Sequence, residues 1–589
     1  MPPTLKTLAL CLLACALGSS AAYAVDADWV KESNDDSQVL LKVMARFAPE
    51  QAGRLGVDGL DDKTLDLNQG IYERSRDATQ KALTELKRRL AAAKDARVKQ
   101  DLEIIIKAGQ DNLHSAELQR QYMLPYYDVG RTEFYGIRFL IDAQVPKERQ
   151  AAALTRLKLY AGMVPGVPPL TQQAEERTAE RLSDKKLVGP YQAELEQDLA
   201  NTQQYLDGIK QLFQQSGLPG WEQPFAKLSQ ELTDYDAWLR KSVLPRARPD
   251  NRLPEPIYAD NLRQVGVDIP PQDLMAMAEF SFTEIQHQME ALAPLVAEQK
   301  GYKSSDYRDV IRELKKQQIQ GDQIMPFYKA RLGAIEDIIR KQHIVTLPNR
   351  QAQIRLASAA ETAALPAPHM SPPRLIGNTG QYGEFVLPLN VPTADGKSAL
   401  QFDDFTFDAA GWTLTAHEAR PGHELQWSSM VEHGVSIARA IFAFNSVNAE
   451  GWGLYAEAEM QPYEPVDGQL ITLQLRLQRA ARAFLDPMLN LGMIKPDEAL
   501  AFLQREVVLS PAFAKEEVDR FTFMAPGQAT SYYYGYERLM RLRGETQVKL
   551  GAKFDRQKFN DYVLAQGLLP PDLLQKAVEE EFIPSQSQP

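Results

Sequence analysis

From about residue 27 to residue 265, apolar positions recur at three-to-four spacing among charged ones, as in Leu65 to Leu90, Leu102 to Leu118 and Ala151 to Ala161. That period belongs to amphipathic helices that bury one face. Proline and glycine interrupt it at Gly53 to Asp62, Met163 to Pro169 and Pro245 to Pro256, where a helix cannot continue. Val267-Asp268-Ile269-Pro270-Pro271 opens a second run, with proline at a helix start and apolar repeats to about residue 299, followed by Ser304 to Leu314 and Met325 to His343. The period then changes. Gln353 to Leu356, Gly383 to Leu389 and Leu400 to Phe407 read as short strands bounded by Pro, Gly and Asp. Pro388 limits the second of these to an edge or a bulge, which suits a strand left free to pair with an extended peptide; a proline-bearing surface loop is the competing reading. Helical periodicity returns at Leu470 to Asn490, Pro496 to Val508 and Tyr532 to Arg543, and Pro584 to Pro589 reads as a disordered tail. The expected fold is mainly α with a small β-sheet, divided into an N-terminal helical region over 25–262 and a second region over 263–589.

Length and charge narrow the partners. A chain of 589 residues buries a large core, and a net charge of −12 with no Lys/Arg run beyond three excludes the basic footprint of a nucleic-acid binder. Lys6, the apolar run Leu8 to Gly18 and Ala22-Tyr23-Ala24 form an export signal, so residues 1–24 are set apart from the fold and the mature protein is expected in the periplasm. Leu12-Leu13-Ala14-Cys15 also fits a lipoprotein cleavage box, but the apolar run continues past Cys15 and the later site is favoured. Both cysteines, Cys11 and Cys15, fall in that segment, which leaves the mature chain without thiol, disulfide or cysteine metal ligand. No later stretch is apolar enough to span a membrane.

Three of the seven histidines, His417, His423 and His433, cluster within seventeen residues, and Glu418 directly follows the first. In the common zinc signature the two histidines are four residues apart, so that one helical turn presents both to one ion. Here the spacing is six, and six steps of about 100° turn the second ring roughly 120° away on a regular helix. Pro421 removes an N–H and clashes with the carbonyl four residues before it, and Gly422 tolerates an irregular backbone. The pair predicts a helix broken at Arg420 to Gly422 that returns His423 to the side of His417. On an unbroken helix Glu424 would take that place, a reading that Pro421 disfavours. Glu450, twenty-seven residues after His423, is the candidate third ligand, and Glu457 lies two turns further on the same face, suited to orient a histidine. Glu418 is the candidate base for a water molecule. Among Tyr532, Tyr533, Tyr534 and Tyr536, one phenol is expected to donate to a developing oxyanion. Arg538, Arg541 and Arg543 suit a substrate carboxylate or a charged helix face. Arg420 is expected to be exposed at the break, and His114, His287, His343 and His369 are isolated.

Leu414-Thr415-Ala416-His417-Glu418-Ala419-Arg420-Pro421-Gly422-His423, Glu450-Gly451-Trp452-Gly453-Leu454-Tyr455-Ala456-Glu457 and Pro526-Gly527-Gln528-Ala529 with Tyr532 and Gly535 resemble, in that order, the blocks of the bacterial "domain of unknown function 885" proteins, which group with the zincin-like metallopeptidases. The resemblance implies a largely helical zincin-like body around a cleft, one Zn2+ held by His417, His423 and Glu450, Glu418 as base, and Tyr532 in preference to its neighbours. Many relatives carry a histidine and an aliphatic residue where this chain has Glu424 and Arg420. The expected activity is that of an exported zinc peptidase acting on small or extended peptides, with Arg538 and Arg541 as candidate substrate contacts. A metal-dependent amidase or esterase on a non-peptide or cell-wall-derived substrate is the alternative, and a non-catalytic binding protein a weaker third.

Overall fold

The computed structural model describes residues 28–392 and 399–587, so the expected signal segment with Cys11 and Cys15 lies outside the described residues. The body is mainly helical. Helix Pro271–Lys300 shows why: Leu274, Ala278, Phe282, Ile285, Met289, Ala293 and Val296 repeat at three-to-four spacing and form one buried stripe, while Gly301 ends the helix in the left-handed region at φ 72°. That stripe packs on helix Val466–Asn490, where Phe282 meets Phe484 edge-on at 5.5 Å. Val466–Asn490 is buried around nearly its whole circumference and forms the axis of the second half of the chain.

The N-terminal helices do not stand apart from this body. Ala360, Ala363 and Ala364 of helix Ala359–Ala364 share a core with Phe134, Leu195 and Tyr205, and Ala438 shares one with Leu40, Leu83 and Leu102. The boundary expected near residue 262 falls inside helix Glu255–Val265. Among the described residues no helix is long and apolar enough to cross a membrane.

The sheet has three strands, β1 (Gln353–Leu356), β2 (His369–Ser371) and β3 (Glu384–Leu387), in the order β1-β3-β2. β1 runs parallel to β3, pairing Gln353 with Glu384, and β2 runs antiparallel to it, pairing His369 with Val386. β4 (Asn390–Pro392) and β5 (Ala399–Gln401) form a separate antiparallel pair.

Several expectations need correction. β3 is the central strand and not an edge, because Pro388 lies one residue beyond its end and removes no ladder hydrogen bond. The two edges belong to β1 and β2, and the three residues of β2 are too few to show a period. Only the start of Leu400 to Phe407 is strand; Phe402, Phe405 and Phe407 turn inward, and Phe405 packs on Phe513 at 4.9 Å. The expected turn at Gly53 begins inside helix Pro49–Leu55, which stops at Gly56 in the left-handed region. The tail is helical over Ile583–Ser587 and not disordered there.

Candidate metal centre

The break falls where proline and glycine predict it. One helix, Ala410–Glu418, stops after Glu418, and a second, His423–His433, starts at His423. The peptide bond between Arg420 and Pro421 is cis. Gly422 is required by space, since a Cβ there would lie 1.9 Å from the His417 carbonyl oxygen. Trp452 pins the irregular segment by donating its indole N–H to the carbonyls of Pro421 at 2.9 Å and Gly422 at 3.3 Å. The two imidazoles are thereby brought to a centroid distance of 4.7 Å with planes nearly perpendicular.

Helix Ser446–Met460 brings in the third group. Glu450 Oε2 stands 3.5 Å from His417 Nε2 and 3.2 Å from His423 Nε2, and one ligand atom from each of the three residues lies within 4.8 Å of the others. Ligands bound to zinc at about 2.0–2.1 Å with tetrahedral angles stand about 3.3 Å apart, so the spacing fits an ion of that size. Charge fits as well. Burial opposes the imidazolium of His417, but hydrogen bonds to Glu450 and Glu457 outweigh it and hold His417 up at about 9. Burial also pushes Glu450 up, and the two histidines more than reverse this, so it lies well below the usual carboxylate range. The cluster favours positive charge at its centre.

The ring of His417 is oriented from behind. Glu457 Oε1 lies 2.7 Å from Nδ1, and a carboxylate can only accept, so Nδ1 keeps its proton and the proton on Nε2 is the one an incoming ion displaces. Thr413 donates to the other Glu457 oxygen at 2.8 Å, and Arg479 stands 3.4 Å away. Gly453 makes room for the ring, because a Cβ there would approach His417 Cε1 to 2.6 Å. Glu418 is buried next to the cluster, and its Oε2 has no hydrogen-bond partner. Burial pushes this carboxyl up, against the opposing pull of His417 and His423. An orphaned carboxylate oxygen beside three convergent ligand atoms leaves an acceptor for a water proton.

Helix Thr530–Leu550 supplies Tyr532, whose ring lies parallel to that of His417 at 6.1 Å. The other tyrosines of the cluster face elsewhere: the hydroxyl of Tyr533 reaches Ser281 at 2.8 Å, that of Tyr534 bonds Asp268, and the ring of Tyr536 lies under Arg476. The helix comes this close because Gly451 and Gly535 face each other, and a Cβ on Gly535 would sit 2.0 Å from the Val447 carbonyl oxygen.

Beneath Tyr532 is a charged floor that the hydrophobic pattern did not reveal. Arg520 donates to the Tyr532 hydroxyl at 3.1 Å and is held by Glu516 at 2.9 Å, while Arg482 lies 4.3 Å from the centre of the Tyr532 ring and is clamped by Glu517 with two bonds of 2.6 Å. The signal was present as Arg479 and Arg482 inside an otherwise apolar helical run and as Glu516-Glu517 just before Arg520.

Other expectations are corrected here. Glu424 is fully buried away from the ligand atoms, accepting from Arg420 Nε at 2.7 Å and Ser428 at 2.6 Å. Arg420 is not exposed, since it also bonds Glu336 at 2.6 Å and the Arg350 carbonyl at 2.6 Å. Arg538 is consumed by Asp268, Asp572 and Tyr534, Arg541 is a solvent-facing partner of Glu545 at 3.9 Å, and Arg543 pairs with Glu459, so none of the three presents a free guanidinium to a substrate at the cluster. His433 is exposed at the end of its helix.

No curated protein is detectably similar in sequence. Two solved structures share the fold. One, described as "a putative lipoprotein of unknown function from Shewanella oneidensis", is 18% identical with a TM-score of 0.70 and matches 94% of this chain and 100% of that one. The other, described as "the putative lipoprotein from Colwellia psychrerythraea", is also 18% identical, with a TM-score of 0.76 over 94% of this chain and 99% of that one. The family described as "Bacterial protein of unknown function (DUF885)" matches residues 49–578, which carry the broken helix, the three convergent side chains and Tyr532, and this chain belongs to that family.

Proposed function

We propose that this protein is an exported zinc-dependent peptidase with a zincin-like body, acting on small or extended peptides. The observation that carries the reading is the convergence of His417 Nε2, His423 Nε2 and Glu450 Oε2 beside the unpartnered Glu418 carboxylate oxygen. When bound by these three residues, a single Zn2+ supplies a Lewis acid that polarises a carbonyl and lowers the pKa of water. Glu418 takes the proton from the attacking water and hands it to the leaving amine nitrogen. Tyr532, steadied by Arg520, donates its phenolic hydrogen to the carbonyl oxygen as negative charge develops there. Glu457 keeps the proton on His417 Nδ1 throughout. The free edge of β2 offers main-chain hydrogen bonds to an extended peptide.

Export is supported by the apolar N-terminal segment before Ala24 and by the lipoprotein descriptions of the two fold relatives. The mass of the mature N-terminus separates cleavage after Ala24 from lipid attachment at Cys15.

The test is metal analysis of the purified mature protein together with a panel of peptides, amides and esters. One zinc per chain, peptide cleavage by the wild type, and loss of cleavage with zinc retained in Glu418→Gln are expected. Absence of stoichiometric metal, or undiminished cleavage by Glu418→Gln, overturns the reading. Turnover confined to esters or non-peptide amides replaces the substrate class.

A further inference from the structure

A cavity of about 600 Å³ lies between helices Pro49–Leu55 and Val129–Arg138 and strand β2. Seven arginines and five carboxylates line it, a local excess of positive charge in a chain of net charge −12. The carboxylates are all engaged. Asp61 accepts from Arg149 at 2.7 and 2.8 Å, Glu361 and Glu384 accept from Arg355 at 2.8 Å each, Asp142 pairs with Arg138, and Glu50 accepts from the Tyr160 hydroxyl at 2.9 Å. Of the other arginines, Arg156 and Arg374 donate to main-chain carbonyls.

Two guanidiniums remain. Arg54 and Arg131 are both exposed to the cavity, and neither finds a hydrogen-bond acceptor for its side chain among the described residues. Nor does the hydroxyl of Tyr135, which lies within electrostatic reach of both. Arg54 rests on the Phe139 ring at 4.5 Å with no carboxylate in range. Asp128 and Asp198 lie near Arg131 but bond elsewhere, Asp128 to the Arg131 main-chain N–H at 3.0 Å and Asp198 to the Tyr126 hydroxyl at 2.8 Å. Three donors therefore face one cavity without a protein acceptor, while every carboxylate that lines it is already engaged.

The cavity is linked to the helix that begins at His423 through one side chain. Met370 of β2 lines it and packs against the apolar cluster that contains Trp427 and Met430 of the helix begun by His423.

We propose that this cavity binds a carboxylate of the substrate, gripped by Arg54 and Arg131 with the Tyr135 hydroxyl, so that the enzyme selects peptides by negative charge. The proposal rests on the peptidase reading above for the identity of its ligand. Arginine forks match carboxylates in shape and charge, and the carboxylate has two sources, a peptide C-terminus or an acidic side chain.

The experiment is calorimetric titration of full-length mature Glu418→Gln protein, which holds peptide without turnover, with three probes: hexa-alanine acid, hexa-alanine amide, and the amide carrying one internal glutamate. The acid is expected to bind at least about tenfold more tightly than the amide, and Arg54→Gln and Arg131→Gln each to remove most of that difference. Recovery of affinity by the glutamate-bearing amide assigns the site to a side-chain carboxylate, and its absence assigns it to the C-terminus. Arg54→Lys, which keeps the charge, is expected to retain part of the preference at an unchanged melting temperature. Equal affinities for the three probes, a preference that survives the double Arg54→Gln, Arg131→Gln substitution, or no binding of any probe overturns the proposal. Failure of the peptidase reading is seen separately, as no cleavage of any probe by the wild type while the calorimetric preference persists.

Discussion

Nδ1 of His417 lies 2.7 Å from Oε1 of Glu457, a residue forty positions later on another helix, and this contact decides which nitrogen of the imidazole is free to bind an ion. Removing the carboxylate leaves all three ligands in place but frees the ring to take the wrong tautomer. Glu457→Gln is expected to weaken zinc binding about 10–100-fold, read by competition with a chromophoric chelator. An unchanged affinity refutes the orienting role.

Gly453 tests the same ring by crowding. Its missing Cβ would lie 2.6 Å from His417 Cε1, so Gly453→Ala must push the imidazole off its axis. Zinc affinity is expected to fall at least about tenfold although no ligand has been altered. Retention of full zinc binding by Gly453→Ala would show that the ring has slack.

Tyr532→Phe removes one hydroxyl from a ring that keeps its packing against His417 and Arg482. Because the hydroxyl is assigned to charge that appears only during reaction, kcat is expected to drop by roughly 10²–10³ with KM and zinc content unchanged. A rise in KM at constant kcat would instead make Tyr532 part of the substrate wall.

Glu464 gives a pH dependence that involves no ligand. Burial pushes its carboxyl up to about 7; Thr472, donating to Oε2 at 2.6 Å, pulls the other way, and Oε1 has no partner. The folded pKa is above the unfolded one, so between about 4.5 and 7 the unfolded chain has lost a proton that the folded chain keeps. Stability therefore falls as pH rises through that window and levels off above it. Glu464→Gln is expected to flatten the slope by up to about 1.4 kcal/mol per pH unit, measured from urea midpoints at pH 5 and pH 7. Parallel slopes for the two proteins would contradict the assignment.

The convergence of His417, His423 and Glu450 was legible in the sequence because its peculiarity is local. Pro421 and Gly422 sit between the histidines they reposition, and the two-turn spacing of Glu450 and Glu457 lies within one helix. Arg420 was not legible, since the groups that bury it, Glu336 and the Arg350 carbonyl, are 84 and 70 positions away and meet only in the fold. The sheet edges were misplaced for a different reason: Pro388 looks decisive in a string of letters, but one residue of displacement puts it outside the ladder, while the edges are β1 and a strand of three residues without a period. Arg538 looked available because net helix charge says nothing about partners from other segments, here Asp268 and Asp572, whereas Arg541 simply faces solvent beside Glu545 of its own helix.

Gly451 and Gly535 bring two main chains together with no side chain between them. Glu450 precedes one of these glycines, and Tyr532 lies three residues before the other. The main-chain separation of Glu450 and Tyr532 is thus set by direct backbone contact, and a side chain on either glycine would act as a wedge that drives the two helices apart.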